Sequence, residues 1–129
     1  MITLPRENFL AHRGFWHDKE EKNTMIALKR ALDLGFGIET DLRDSNGNIV
    51  LSHDIPKHNS SILDLRWLFD FYVNNNCSGY LALNIKADGL GPEIVKLIDS
   101  YQINNYFIFD MSVPDLISNK DLNLIQFCR

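Results

Sequence analysis

The sequence is poor in cysteine, has no excess of basic charge and contains no long apolar run. Its two cysteines, Cys77 and Cys128, lie far apart without the spacing of a metal site, which favours reduced thiols and a cytoplasmic protein. The net charge of −4 gives no electrostatic footprint for a nucleic-acid partner. Asp64, Arg66 and Asp70 interrupt the most apolar stretch, so no segment approaches the roughly 20 residues of a membrane helix.

What the sequence does contain is sufficient for one folded domain. Its 129 residues are 45% apolar and include eight Phe, four Tyr and two Trp, an ordinary globular composition with enough apolar surface for a core. The first eight residues lack the basic and apolar regions of a signal peptide. No repeat, low-complexity segment or linker divides the chain, so we expect a single domain over residues 1–129.

Short strand-like segments alternate with helix-like segments. Strands are expected at residues 9–13, 38–43, 48–52, 80–86, 106–111 and 124–128, with a tight turn at Asn46-Gly47. One helix is expected after a cap at Asn23 or Thr24, a second after a Ser61/Asp64 capping box, a third around Pro92 and a short one at 114–119. Their expected inward residues are Met25, Leu28 and Leu32; Leu65, Leu68, Phe69 and Tyr72; and Ile94, Val95, Ile98 and Tyr101. This order predicts an α/β fold with a parallel sheet.

The second strand carries two carboxylates on one face. Because side chains alternate across a strand, Glu39, Asp41 and Arg43 point one way. In a buried parallel sheet two such carboxylates would repel each other unless a cationic group lay between them, and a hard divalent cation is the simplest candidate. The alternative is an edge strand with a solvated acidic face.

Other polar side chains fall at the carboxyl ends of predicted strands, where barrels and open α/β sheets place their sites. These residues are His12, Arg13, Glu39, Asp41, Asn84, Lys86 and Asp110. Taken alone, Lys86 could equally be a surface lysine. His12 and His53 are candidates for a general acid–base pair, whereas His17 and His58 are interpreted as solvated.

Several motifs, in order and at matching spacings, resemble the glycerophosphodiester phosphodiesterase family. They are AHRG at 11–14, NT at 23–24, GIETD at 37–41, NG at 46–47 and SHD at 52–54. LNIK at 83–86 and DMSVPDL at 110–116 fit more loosely. This resemblance implies a TIM barrel that hydrolyses a small-molecule phosphodiester with the help of a metal.

The resemblance also implies roles for individual residues. His12 and His53 would be the acid–base pair, and Arg13 and Lys86 would bind the phosphoryl group. Glu39, Asp41 and Asn84 would bind Ca²⁺ or Mg²⁺, with Asn84 standing where the family commonly has a glutamate ligand. Asp110 is a weaker fourth candidate that could compensate for Asn84. Lys22 stands where the family motif has a further glutamate.

A complete eight-stranded barrel takes about 250 residues, whereas this sequence contains about five barrel strands. We therefore expect an incomplete (β/α)8 barrel, truncated at its C-terminal side. The chain is then a fragment of a longer protein, or closes by pairing with another copy through its open edges, or forms an open sheet. Two functions compete: a glycerophosphodiester-type hydrolase, and a non-catalytic remnant that binds phosphoesters or metal. A plain α/β domain with solvated charges is the third interpretation.

Overall fold

The computed structural model describes residues 3–57 and 61–127, in which strands and helices alternate along the chain. The strands are β1 (Leu10–His12), β2 (Gly37–Ser45), β3 (Asn48–Leu51), β4 (Leu81–Ile85), β5 (Tyr106–Phe109) and β6 (Gln126–Phe127). The α-helices are α1 (Met25–Asp33), α2 (Leu65–Asn74), α3 (Gly91–Tyr101) and α4 (Val113–Ser118), and short 3-10 turns lie at Arg6–Asn8 and Lys19–Glu21. Two residues of the sequence analysis, His58 and Cys128, lie outside the described ranges.

The strands form one sheet in the order β1-β2-β4-β5-β6, with β3 paired to β2. All pairs along this path are parallel, and only the β2–β3 hairpin is antiparallel. Each new parallel strand is added beside the previous one in the same direction, which is the winding of a barrel; a doubly wound sheet reverses its order. The predicted incomplete α/β barrel with five barrel strands is confirmed.

The core lies on one face of this sheet. Alternate strand residues, among them Ile38, Leu83 and Ile108, join one buried cluster with side chains of α1, α2 and α3. Because paired residues point to the same side of a sheet, the intervening residues of β2, β4, β5 and β6 share the opposite face. That second face carries the candidate site.

Three details of the helices correct the sequence-based expectations. Met25 is 38% exposed, because it opens the first turn of α1; the buried stripe of that helix is Ala27, Leu28, Ala31 and Leu32. The cap of α2 is Asp64, whose side chain accepts from the Arg66 N–H; Ser61 does not cap it. In α3, Leu97 is buried and Val95 is only half-buried, since the stripe follows positions 94, 97 and 98.

The turn at Asn46-Gly47 is confirmed. Asn46 has φ of 49° and Gly47 has φ of 80°, and two consecutive positive values are those of the two-residue type I′ hairpin. This turn brings β3 back along β2, so that residues 52–54 return to the carboxyl end of the sheet.

In residues 3–57 and 61–127, no helix is long and apolar enough to cross a membrane.

Candidate active site

Backbone hydrogen bonds gather the segments that carry the predicted site around the middle of β2. The Arg13 N–H donates to the Glu39 carbonyl at 2.8 Å, and the Ser52 N–H donates to the Asp41 carbonyl at 2.9 Å. On the other side of β2, the Lys86 N–H donates to the Leu42 carbonyl at 2.9 Å. One strand therefore fixes the positions of the segments that follow β1, β3 and β4.

The turn after β1 is strained at a residue that bears a predicted function. Arg13 has φ of 58° and Gly14 has φ of 91°. A non-glycine residue in the left-handed region costs of the order of 1–3 kcal/mol, and such residues concentrate at functional sites. At Gly14 a Cβ atom would also lie only 2.6 Å from the backbone carbon of Ala27, so helix α1 packs directly on this turn. Glycine is required here on both counts.

Asp41 is the most enclosed charge of the site, with its side chain 1% exposed. Its Oδ2 lies 3.0 Å from Nε of Arg13 and accepts a hydrogen bond of 3.0 Å from the Asn23 amide. Its Oδ1 lies 3.8 Å from Nζ of Lys86. Arg13 and Lys86 thus supply part of the positive charge that the two carboxylates of β2 predict at this position.

Glu39 lies on the same face of β2, two residues before Asp41. Its Oε1 accepts a hydrogen bond of 3.2 Å from the Asn84 amide, and its Oε2 lies 3.6 Å from Nε2 of His12. Burial, and secondarily the charge of Asp41, raise the pKa of Glu39 above its ordinary value. This carboxylate therefore lacks the compensation that Asp41 receives.

Three oxygen atoms of this face fit the predicted cation. Glu39 Oε2, Asp41 Oδ1 and Asn84 Oδ1 are buried and have no hydrogen-bond partner among the described residues. Asp41 and Asn84 are direct register partners on β2 and β4, so these oxygens share one face. Buried polar atoms are rarely left unsatisfied, and carboxylate and amide oxygens are the ligands that Ca²⁺ and Mg²⁺ prefer.

The donor set depends on the amide of Asn84. Within residues 3–57 and 61–127, no group of three or more His, Cys, Asp or Glu side chains is arranged to hold a metal ion. Only with the Asn84 oxygen does the set of candidate ligands reach three. A site with one neutral ligand binds a divalent cation more weakly than a site with three carboxylates.

Lys86 and Asp110 form a second charged contact at the ends of β4 and β5. Lys86 Nζ donates to Asp110 Oδ2 at 3.3 Å and thereby connects Asp110 to Asp41. Asp110 also has a left-handed backbone, with φ of 69°. The structure thus brings together seven of the predicted residues in one network: His12, Arg13, Glu39, Asp41, Asn84, Lys86 and Asp110.

The two histidines stand at the open side of this network. The His12 side chain is 63% exposed and that of His53 is 46% exposed. His53 is held by its backbone carbonyl, which accepts from Nη2 of Arg43 at 2.9 Å, and its Nδ1 lies 2.8 Å from Asp54. The hydrogen bond with His53 lowers the pKa of Asp54. His17 is exposed, as its interpretation as a solvated residue requires.

Asn23 is a site residue that the sequence reasoning treated only as a helix cap; the cap is Thr24. Asn23 donates to Asp41 and accepts a hydrogen bond of 2.8 Å from the Thr40 hydroxyl. Its own backbone is left-handed, with φ of 58°. The available signal was its place in the family-like NT motif, since no local pattern reveals a contact across 18 residues.

A cleft of about 570 Å³ opens beside the network. Its lining includes Arg13 and His53, so the segments after β1 and β3 meet there. The other lining residues are Lys19, Lys22, Asn23, Thr24, Met25, Leu51, Ser52, Asp54, Ser61, Ile62 and Leu63. The exposure of Met25 is explained by this cleft, because the side chain forms part of its wall.

Solved structures share this fold. A proposed glycerophosphodiester phosphodiesterase from Galdieria sulphuraria matches with a TM-score of 0.79 and 19% sequence identity, over 97% of this chain and 64% of that protein. A glycerophosphodiester phosphodiesterase from Parabacteroides distasonis matches with a TM-score of 0.67 and 17% identity, over 84% of this chain and 58% of that one. No family model and no curated protein sequence matches the chain.

These matches confirm the resemblance at the level of the fold. The chain adopts the barrel architecture of glycerophosphodiester phosphodiesterase structures and spans less than two thirds of the length of either of these two proteins.

Proposed function

We propose that the chain carries the catalytic part of a metal-dependent phosphodiester hydrolase of the glycerophosphodiester type. The observation that supports this most directly is the set of three unsatisfied buried oxygens, on Glu39, Asp41 and Asn84, beside two accessible histidines. Glycerophosphodiesters are deacylated phospholipids, so this activity belongs to lipid metabolism. The two cysteines, Cys77 and Cys128, lie far apart in the sequence without a disulfide framework, which supports a cytoplasmic location.

Glu39, Asp41 and Asn84 would hold Ca²⁺ or Mg²⁺, and Asp110, which contacts Lys86, is the weaker fourth candidate. When bound, the cation would offset the negative charge that develops on the phosphoryl oxygens. Arg13 is suited to the same phosphoryl group because it lines the cleft beside the network while its Nε lies 3.0 Å from Asp41. Lys86 adds a second positive charge at this end of the sheet.

His12 and His53 would transfer the protons. One imidazole accepts the proton of the attacking hydroxyl while a new P–O bond forms, and the other donates a proton to the oxygen that leaves as the old P–O bond breaks. In the family that the motifs resemble, the attacking hydroxyl belongs to the glycerol of the substrate; water then opens the cyclic phosphate. The exposure of both rings suits contact with a substrate at the open side of the network.

The experiment measures the hydrolysis of glycerophosphoinositol and glycerophosphocholine through the glycerol 3-phosphate that is released. Each reaction is run with Mg²⁺, with Ca²⁺ and with EDTA. We expect turnover with a divalent cation, its loss in EDTA, and a decrease of about 10²–10⁴-fold in His12→Ala. His17→Ala is the matched control, because His17 is exposed and outside the network. Equal rates in His12→Ala and His17→Ala would contradict the assignment.

A specific observation favours the alternative of a non-catalytic phosphoester- or metal-binding domain. Asp41 already has two cationic neighbours, Arg13 and Lys86, so the charge of this carboxylate is offset without a metal. In that case glycerol 3-phosphate would bind to the chain, with loss of binding in Arg13→Gln, but no diester would be turned over under any metal condition.

A further inference from the structure

The cleft beside the proposed catalytic network has a positive rim, although the chain as a whole has a net charge of −4. Lys19 and Lys22 line it together with Arg13, and the one carboxylate in the lining, Asp54, is engaged by His53. Neither lysine forms an ion pair within the described residues. Glu20 and Glu21 lie between them in the chain; neither is part of the lining, and Glu21 pairs with Arg30 at 2.9 Å.

Lys22 is held close to the reacting end of the site. Its Nζ lies 4.6 Å from the centre of the Trp16 ring, and the Trp16 indole N–H donates to the His12 carbonyl at 2.9 Å. The next residue, Asn23, donates its backbone N–H to the Arg13 carbonyl at 2.9 Å and its side-chain amide to Asp41. Lys22 is therefore connected on both sides to residues of the network.

The same contact has a consequence for cationic ligands. An exposed indole face attracts quaternary ammonium groups, but the Lys22 ammonium already lies over the Trp16 ring. A trimethylammonium head group in the cleft would meet the Lys22 ammonium, which repels it, and not the indole face, because Trp16 is not among the lining residues. The apolar part of the cleft lining consists of Met25, Leu51, Ile62 and Leu63, which can pack against the carbon atoms of a polyol but provide no negative charge.

We infer that Lys22 is a specificity-determining residue, and that the cleft selects substrates whose head group carries a negative charge of its own, such as a phosphorylated polyol. This inference rests on the proposed function, because the scissile phosphate is what Arg13 would hold. It deepens that function by naming the substrate class: anionic head groups are favoured over neutral ones, and cationic head groups are disfavoured.

The test compares equilibrium binding of three phosphomonoesters that a diesterase does not consume. Inositol 1-phosphate, inositol 1,4-bisphosphate and phosphocholine share one phosphate and differ in the charge of the rest of the molecule. Each is titrated calorimetrically into the full chain with Mg²⁺ and with EDTA. The parent, Lys22→Gln, Lys22→Glu and Lys29→Gln are compared. Lys29 is the matched control, because its ammonium also contacts aromatic rings, Trp67 and Phe71, but it lies outside the cleft.

We expect the bisphosphate to bind about tenfold more tightly than phosphocholine, as for one partly screened charge pair at short range. Lys22→Gln should remove most of this preference and Lys22→Glu should reverse it, whereas Lys29→Gln should leave it unchanged. If inositol 1-phosphate binds and Arg13→Gln abolishes that binding, but Lys22→Glu does not alter the ranking, the inference is overturned and the proposed function stands. If none of the three esters binds to the parent, the proposed function fails and the inference fails with it.

Discussion

The site-bearing face of the sheet has two halves of different chemistry. On β1, β2 and β4 it carries His12, Glu39, Asp41 and Asn84, most of them joined by short polar contacts. On β5 and β6 it carries Phe107, Phe109 and Phe127. The centre of the Phe107 ring lies 5.7 Å from that of Phe109 and 5.4 Å from that of Phe127. Phe109 is the register partner of both Asn84 and Phe127, so the two halves meet at adjacent strands.

The two halves of this face find their stabilising contacts in different places. In the polar half, Asp41 is paired with Arg13 and Lys86, which follow neighbouring strands, whereas Glu39 Oε2 and Asn84 Oδ1 have no hydrogen-bond partner among the described residues. The aromatic half has contacts between its own rings, but Phe127 remains 56% exposed. Exposed apolar patches are typical of interaction surfaces, so we predict that this half takes part in association. A change of a single charge should therefore affect stability most in the polar half. A change in the aromatic half should mainly affect association.

The largest effect on stability is expected from Asp41→Ala. The substitution leaves Arg13 and Lys86 without their shared carboxylate in a poorly solvated site, and loss of one member of such a pair costs about 3 kcal/mol. Urea unfolding followed by circular dichroism measures this cost. On the aromatic half, Phe107→Leu is the comparison and should cost about 1 kcal/mol. Equal losses for the two variants would contradict the difference between the halves.

Glu39→Gln should change the stability by a smaller amount and in the opposite direction, so that the variant is more stable than the wild type in EDTA. Because the folded-state pKa of Glu39 is raised, the folded chain binds this proton more readily than the unfolded chain. The wild type therefore loses stability as the pH rises from the ordinary value of 4.5 through the raised pKa. At pH 7 the variant should melt at a higher temperature than the wild type, and this advantage should disappear below the ordinary value.

Saturating Mg²⁺ should invert that result, because a ligand bound only by the folded state stabilises it and the variant lacks one carboxylate ligand. Thermal melts of both proteins from pH 4 to pH 8, with Mg²⁺ and with EDTA, give the comparison. A melting difference that is independent of both pH and metal would show that Glu39 has neither role.

The smallest effect on stability is expected from Phe127→Lys, since this side chain is more than half exposed; a change of about 0.5 kcal/mol is typical of such positions. The effect of Phe127→Lys on association should be larger than its effect on stability.

We predict that the chain self-associates through its open barrel edges, and that a lysine on the edge strand β6 weakens that association. Light scattering over a range of concentrations measures it. Val113→Lys, on an equally exposed apolar residue of α4, is the control; equal weakening by both lysines would contradict a role for this edge.

The sequence allowed the fold and the membership of the polar half to be predicted because both have local signals. Alternation of strands and helices, the Asn46-Gly47 turn and polar residues at strand ends are visible in short windows. The finer errors also have local causes. Met25 follows the helical period but lies in the first turn of α1, where it faces the cleft, and Ser61 resembles a cap but lies three residues before the residue that forms it.

The partners of Asp41 could not be predicted in the same way. Arg13, Asn23 and Lys86 lie 28, 18 and 45 positions from it in the chain. The parallel register places Arg13 and Lys86, and hydrogen bonds to Arg13 and Thr40 place Asn23. The two carboxylates of β2 predict a cationic group beside Asp41, for which a divalent metal ion is the simplest candidate. The structure supplies part of that positive charge with side chains, since a lysine and an arginine at neighbouring strand ends reach the same carboxylate.

The hydrogen bonds from Arg13, Ser52 and Lys86 to the backbone of β2 have a further consequence for how the site can fail. Because three separate segments take their position from one strand, a partly assembled site has little structural support. Molecules that lose the pairing of β2 would lose the positions of Arg13, of the segment at residues 52–54 and of Lys86 together. A damaged preparation would then behave as a mixture of competent and inert molecules, with a reduced active fraction and an unchanged affinity in those that remain.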